Sequence, residues 1–306
     1  MHTRTLGKVG VALTAMVWAT VGCGPVEGDS SADTTGQVEQ AKQSDNGLSF
    51  NGLSFNGLSF NGLSFNGLSF NGLSTSAFNN WFKADPSMAD QVMHYVVRCA
   101  LPAGQTLTYT PTSSSTTYTW TGGLGLAPAW ASGGSATLAE QQVVSACLAA
   151  HANRLGTAVP ISVLGRDAAG SPIPFTAAEL ADFSRPESCF FGNLFNGEGI
   201  FVAAGSMPLG PSESTSRACG GLLNGGTEAS APCAPMKYVG SCAALCKPSA
   251  DGISYTSCTW NGVTYTRPIN TRLRPRDIAV CGDGQHQASE TCGTTSRYDS
   301  CGLDGC

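Results

Sequence analysis

The sequence predicts an α+β fold: a disulfide-stapled globular domain over residues 76–276, preceded by a disordered repeat spacer and followed by a small cysteine-rich tail. Three observations lead there. Helical and strand patterns are mixed through residues 76–276 without the strand–helix–strand rhythm of a parallel sheet. Thirteen cysteines occur in 306 residues, and eight of them fall inside that stretch. Six copies of one pentapeptide, NGLSF with a final NGLST, fill residues 46–75 just ahead of it.

The first 22 residues carry Arg4 and Lys8 and then an apolar run, Val9–Val21, interrupted only by Gly10, Thr14 and Thr20. A basic start followed by an apolar run too short to span a bilayer reads as an export signal. It ends Ala19-Thr20-Val21-Gly22-Cys23, a small residue before cysteine that resembles the bacterial lipobox, although Thr20 stands where that motif usually has Leu. The resemblance implies lipidation of Cys23 after cleavage; ordinary cleavage with a free Cys23 is the other reading. Setting Cys23 aside leaves 12 cysteines, an even number that can pair completely. Gly24 in place of Asp implies, by the same resemblance, a lipid-anchored place in the outer membrane of the cell envelope.

Residues 23–45 are rich in Asp, Ser, Thr, Gln and Glu and cannot bury enough apolar surface to offset their ordering entropy, so they read as a flexible tether. Without the export signal the chain has 14 basic and 21 acidic residues, and no Lys/Arg cluster. That balance speaks against nucleic acid and leaves the membrane, through the lipid, and a surface or matrix component as expected partners.

Residues 46–75 invite comparison with pentapeptide-repeat β-helices, which need four repeats per coil; six copies give one and a half coils, too few for a continuous core. An odd period also sends successive leucines to alternating faces of an extended chain, which disfavours one-sided strands. Asn-Gly recurs every five residues as a turn signal. A spacer is expected, with two origins open: replication slippage, or a cohesive segment using Phe50, Phe55, Phe60, Phe65 and Phe70.

In the body, Ser76–Ala84 and then Asp85-Pro86 set up a first helix and a cap with Pro at the start of a second. Met88, Val92, Val96 and Cys99 make an apolar helical stripe. Residues 105–110 and 116–121, rich in Thr and aromatics, read as a hairpin. Thr137-Leu138-Ala139-Glu140 is a capping box, and Val144, Cys147, Leu148, His151 and Leu155 continue as one helical face. Val159–Leu164 reads as a buried strand, Thr176–Phe183 as a short helix, and residues 254–260 and 263–267 as a hairpin turning at Asn261-Gly262. Cys99, Cys147, Cys189, Cys219, Cys233, Cys242, Cys246 and Cys258 are expected in disulfides, of unspecified pairing except for a local bridge between Cys242 and Cys246.

The chemistry-bearing residues are few. His151 lies on the apolar face of its helix, where it is either a general base or metal ligand for a secreted hydrolase, or a core histidine bonded to backbone. His94 lines up with Asp90 and Arg98 as a solvated polar stripe. No G-x-S-x-G, H-E-x-x-H or P-loop pattern occurs, and no cofactor is expected. The tail, residues 277–306, holds Cys281, Cys292, Cys301 and Cys306, a two-disulfide knot. Asp283, Glu290, Asp299 and Asp304 there are either Ca²⁺ ligands, as in a calcium-stabilised adhesion protein, or plain surface acids.

The tail's Cys281-Gly-Asp-Gly resembles cysteine-rich modules of secreted myxobacterial proteins. Together with the repeat, Trp81-Phe82-Lys83-Ala84-Asp85-Pro86, Tyr95-Val96-Val97-Arg98-Cys99, Gly123-Leu124-Gly125-Leu126-Ala127-Pro128 and Val144–His151, it is similar to a family of secreted lipoproteins from those bacteria. That family has no established activity, so the resemblance implies compartment and architecture alone. The expected function is a non-catalytic, surface-tethered lipoprotein with a binding or envelope-structural role.

Overall fold

Residues 138–151 form the helix that the capping box predicts, and the body is built around it. The computed structural model describes residues 43–46, 48–49, 73, 75–153, 159–206, 212–215, 217 and 236–286. In chain order these are strands β1 (Gln43–Asn46) and β2 (Leu48–Ser49), helices α1 (Ser76–Ala84) and α2 (Pro86–Ala100), hairpin strands β3 (Thr106–Tyr109) and β4 (Tyr118–Thr121), and helices α3 (Pro128–Ala131) and α4 (Leu138–His151). There follow β5 (Ala152–Asn153), β6 (Val159–Gly165), α5 (Ala177–Asp182), β7 (Arg185–Asn193), β8 (Gly199–Ala204), β9 (Glu213–Ser214) and β10 (Met236–Ser241). Last come α6 (Cys242–Leu245), β11 (Cys246–Pro248), β12 (Tyr255–Trp260), β13 (Val263–Tyr265), β14 (Ile269–Leu273) and β15 (Ala279–Val280). None of the described helices is long and apolar enough to cross a membrane.

The main sheet runs β1-β6-β14-β7-β8-β10, antiparallel throughout except for the parallel pair β8 and β10. β7 is central, and Glu187–Asn193 along it are all buried, as a strand covered on both faces requires. One face packs under α4, with Phe190, Ile200, Val202 and Ile269 in a core shared with α2 and the β3–β4 hairpin. The other face carries Cys189, Phe191, Phe201 and Ala203 against α6 and the β12–β13 hairpin. The molecule is therefore α+β, and Cys99–Cys147, Cys189–Cys242 and Cys246–Cys258 tie its layers together.

Helix α4 is not amphipathic. Twelve of its fourteen residues are buried, so it is a core helix rather than the one-faced helix of the sequence reading. Its polar side chains are tolerated because each has a partner. Glu140 caps two helices: Oε2 accepts from its own N-cap Thr137 N–H at 2.8 Å, while Oε1 accepts from Ala129 N–H at 2.6 Å and Trp130 N–H at 3.2 Å at the start of α3. Gln141 Oε1 accepts from Asn193 Nδ2, and Ser145 Oγ accepts from Leu194 N–H, tying α4 to the end of β7. The stripe of α2 meets this helix through Val92, Val96 and Cys99, all fully buried.

Both expected hairpins form. β3 pairs with β4, and β12 pairs with β13 across Asn261 (φ 50°) and Gly262 (φ 79°), where two left-handed residues match the twist of the strands. The tether–spacer boundary differs from expectation. Gln43–Asn46 extends the main sheet against β6, and Leu48–Ser49 of the first pentapeptide pairs in parallel with Ala152–Asn153. The odd repeat period opposes long one-sided strands but not strands of two to four residues. In the last copy Leu73 is buried in the core and Thr75 caps α1, its Oγ1 accepting from Phe78 N–H at 3.2 Å. The expectations for the copies between, and for Cys23, Leu155, Cys219 and Cys233, lie outside the described residues.

Glu140→Ala removes the acceptor of three backbone donors at two helix starts, of which Trp130 N–H is buried. It should cost about 2–3 kcal/mol in urea unfolding. A loss under about 0.5 kcal/mol would show that the double cap is not needed.

Candidate binding cleft

Among the described residues, three clusters of the body bear on where function could sit, and they differ in what solvent can reach. The first surrounds His151. The ring is fully buried at the end of α4; its Nδ1 donates to Cys147 O at 2.8 Å and lies 3.6 Å and 3.9 Å from the sulfurs of Cys147 and Cys99. Burial, outweighing the bond to Cys147, and the cationic neighbours Arg98 and Arg217 push its pKa down to about 3, so the ring is neutral. A base sealed beneath α2 and a disulfide cannot reach a substrate, which removes the geometric basis for the hydrolase reading. Cys99 and Cys147 have the spacing of metal ligands with His151, but their sulfurs are bonded to each other. His94 is exposed, with its ring edge-on to Tyr95; Asp90 accepts instead from Trp120 Nε1 at 2.7 Å.

The second cluster is four sulfurs on the opposite face of the sheet. Cys242 and Cys246 do not form the local bridge that their spacing suggested. Cys242 opens α6 and bonds Cys189 on β7, while Cys246 starts β11 directly opposite Cys258 on β12 and bonds it. The intervening turn aims the two side chains at different layers, which spacing alone does not reveal. Cys189 and Cys246 sulfurs approach to 3.4 Å, so the two bridges stack. Cys189, Cys246 and Cys258 have ligand spacing too, and all three are likewise committed to disulfides.

The third cluster begins with an irregularity in the central strand. Between Asn270↔Cys189 and Arg272↔Pro186, β14 advances two residues while β7 advances three, so Glu187 and Ser188 share the place opposite Thr271. This β-bulge turns Glu187 into the core. There it meets Arg217, also fully buried, in a two-pronged pair: Nε to Oε1 at 3.0 Å and Nη2 to Oε2 at 2.9 Å. Thr271 Oγ1 donates to the same Oε2 at 2.6 Å. Arg217 Nη1 donates to the carbonyls of Ala150 and Ala152 at the end of α4. Gly205 seals the outer side of the bulge: its N–H donates to Glu187 O at 2.7 Å, and a Cβ there would stand 2.7 Å from that oxygen.

Beside the bulge lies a cleft of about 80 Å³, lined by Ser188, Cys242, Ile253, Tyr255, Asn270 and Arg272 among others, with Ser206 and Gly252 exposed at its rim. Its loop wall is held by Asp251, whose carboxylate accepts from Ser249 Oγ and Ile253 N–H. Those hydrogen bonds, Ser249 first, keep the Asp251 carboxyl below its ordinary pKa. Burial pushes the Tyr255 phenol up, so it stays neutral. Asn270 Nδ2 donates to Ile253 O at 3.2 Å, yet Asn270 Oδ1 and Ser188 Oγ, in residues 7% and 2% exposed, have no partner among the described residues. Each unfilled buried polar atom costs about 1–3 kcal/mol. Two of them belong to residues that line this one cleft.

Of the candidate catalytic and metal-ligating residues that the structure describes, His151 is brought into a cluster, together with the expected disulfide cysteines Cys99 and Cys147. Asp283 is exposed and accepts from Gln285 N–H, and Cys281 is disulfide-bonded; Glu290, Asp299, Asp304, Cys292, Cys301 and Cys306 lie outside the described residues. Sequence reading missed Glu187, Ser188, Arg217 and Asn270. Nothing in periodicity signals a bulge, though a Glu inside an otherwise apolar strand segment, Pro186-Glu187-Ser188-Cys189-Phe190-Phe191, was a usable hint. Comparisons with protein families, curated proteins and solved structures match nothing.

Because folded His151 stays neutral down to about pH 3 while the unfolded ring titrates near 6.5, its stabilising effect is complete above pH 6.5 and is lost as pH falls towards 3. At pH 5 the loss should be about 2 kcal/mol relative to pH 7. A neutral replacement, His151→Gln, should flatten that part of the stability–pH curve. Parallel curves for the two proteins would contradict the assignment.

Proposed function

We propose that this protein is a non-catalytic lipoprotein of the cell surface, anchored in the outer membrane through Cys23, whose disulfide-stapled body binds a partner through the cleft beside the bulge. The observation that carries the reading is the state of that cleft. It sets polar side chains, Ser206 at its exposed rim and Asn270 and Arg272 along its walls, beside a carboxylate, Glu187, that Arg217 and Thr271 already hold and that is therefore not available as a base. The disulfides support export, because such bridges persist in oxidising compartments. The lipobox-like residues before Cys23 and the polar tether supply the anchor and the reach. Similarity to the myxobacterial lipoprotein family is consistent with the same compartment.

Mass spectrometry of the protein extracted from envelopes of a lipoprotein-exporting bacterium should find a mature N-terminus at residue 23 bearing acyl chains. An unmodified Cys23 sinks the anchor. Surface-bound material co-purifying with the full chain should be released intact, with no change in its mass. A covalently altered or cleaved partner would contradict the non-catalytic reading.

A further inference from the structure

We propose that the edge of β6 covered by β1, together with the two residues that follow α4, is a binding slot for an extended NGLS pentapeptide, and that pentapeptides of a second copy of this chain fill it by exchange. The slot shares no residue with the lining of the cleft beside the bulge, so the inference goes beyond the proposed function.

The structure holds the chain's own first copy in this slot. β1 is the outermost strand of the main sheet and pairs antiparallel with β6, from Gln43↔Ser162 to Asn46↔Val159. Two residues on, Leu48 and Ser49 pair in parallel with Ala152 and Asn153. The backbones of β1 and β2 also lie beside α4 and α2. Main-chain hydrogen bonds carry such an interaction, as when a peptide adds a strand to a sheet edge, and they do not depend on side-chain identity. The last copy is held on the same body, through Leu73 in the core and Thr75 at the cap of α1. The array thus begins and ends on one body. It adds no reach between Cys23 and that body, and distance does not account for its copies.

Equivalence of the copies supplies the occupant. Asn46-Gly47-Leu48-Ser49 recurs unchanged from Asn51, Asn56, Asn61, Asn66 and Asn71, so one slot faces several identical donors. Shifted by one copy, Leu48-Ser49-Phe50-Asn51 takes the place of Gln43-Ser44-Asp45-Asn46. Phe is favoured in strands and Asp disfavoured, and no proline intervenes, so a later copy suits β6 at least as well as the first. Every pairing made within one chain is kept when two chains exchange strands. Exchange then costs only the difference between the effective concentration of the tethered copy and the concentration of the second chain. Asn61 lies 12 residues from Ser49 and 12 from Leu73. That gives a middle copy a reach of at most about 40 Å, enough to meet a body in contact with its own.

The test compares the natural full chain with one carrying Ser44→Pro and Asp45→Pro together. Of two neighbouring strand residues one donates its N–H to the partner strand, and proline removes that donor, so the paired change empties the slot. Fluorescein-labelled LSFNGLSF should bind this variant at least about tenfold tighter than the natural chain, where the tethered copy competes. The peptide should also restore the hydrogen-exchange protection that the variant loses at those β6 amides, within Val159–Ser162, that face β1. The control peptide LPPNGLSF should do neither. In sedimentation of the natural chain, which needs no substitution, the mean mass should rise with concentration, and excess LSFNGLSF should reverse the rise. No protection of β6 by LSFNGLSF, or equal binding of LPPNGLSF, overturns the slot. A natural chain that stays monomeric at millimolar concentration overturns the exchange with a second copy.

Discussion

A guanidinium buried without access to water is the constraint on which much of this structure depends. Arg217 cannot shed its charge, and an unpaired charge in a core is among the costliest features a fold can carry. It is accommodated by two things at once: the Glu187 carboxylate and the last carbonyls of α4, where the helix leaves acceptors unfilled and its dipole favours a cation. Glu187 reaches it only because β7 carries an extra residue at that point. The pair therefore ties the central strand to the end of the central helix and fixes the bulge. The bulge in turn places Ser188 on the cleft.

The disulfides act around this centre rather than in place of it. Cys99–Cys147 closes a separation of 48 residues between α2 and α4, and Cys189–Cys242 closes 53 residues between the central strand and α6. Loops of that length correspond to about 4 kcal/mol each in the chain-entropy view, a large share of the stability of an ordinary domain. The first of these stands on the helical face of the sheet, and the second on the opposite face, stacked against Cys246–Cys258. The helical layer and the small β12–β13 layer are thus each stapled to a strand or helix that the Arg217–Glu187 pair also organises. His151, neutral and packed on the Cys99–Cys147 sulfurs, belongs to this scaffold.

Much of the architecture was legible in the sequence because local chemistry decided it. Asp85-Pro86 and the Thr137–Glu140 box define helix starts through the orphan N–H groups they satisfy, and Asn261-Gly262 dictates a hairpin through its left-handed backbone. What stayed hidden was non-local. The burial of α4 on every side depends on partners such as Asn193 and Leu194, far away in sequence. The pairing of Cys242 with Cys189 depends on which way a four-residue helix faces. The cleft was the least legible of all, since Ser188 and Asn270 are ordinary polar residues until a bulge and a neighbouring strand bring both to its lining.

The dependence of the bulge on its buried pair is tested most directly by a double-mutant cycle on Glu187→Leu and Arg217→Met, followed by equilibrium unfolding. Each single change should cost about 3–5 kcal/mol, because it strands a charge in the core, and the double change should cost at least about 2 kcal/mol less than the sum. Single changes that cost under about 1 kcal/mol, or that simply add, would mean that Arg217 and Glu187 do not share the buried pair on which the account rests.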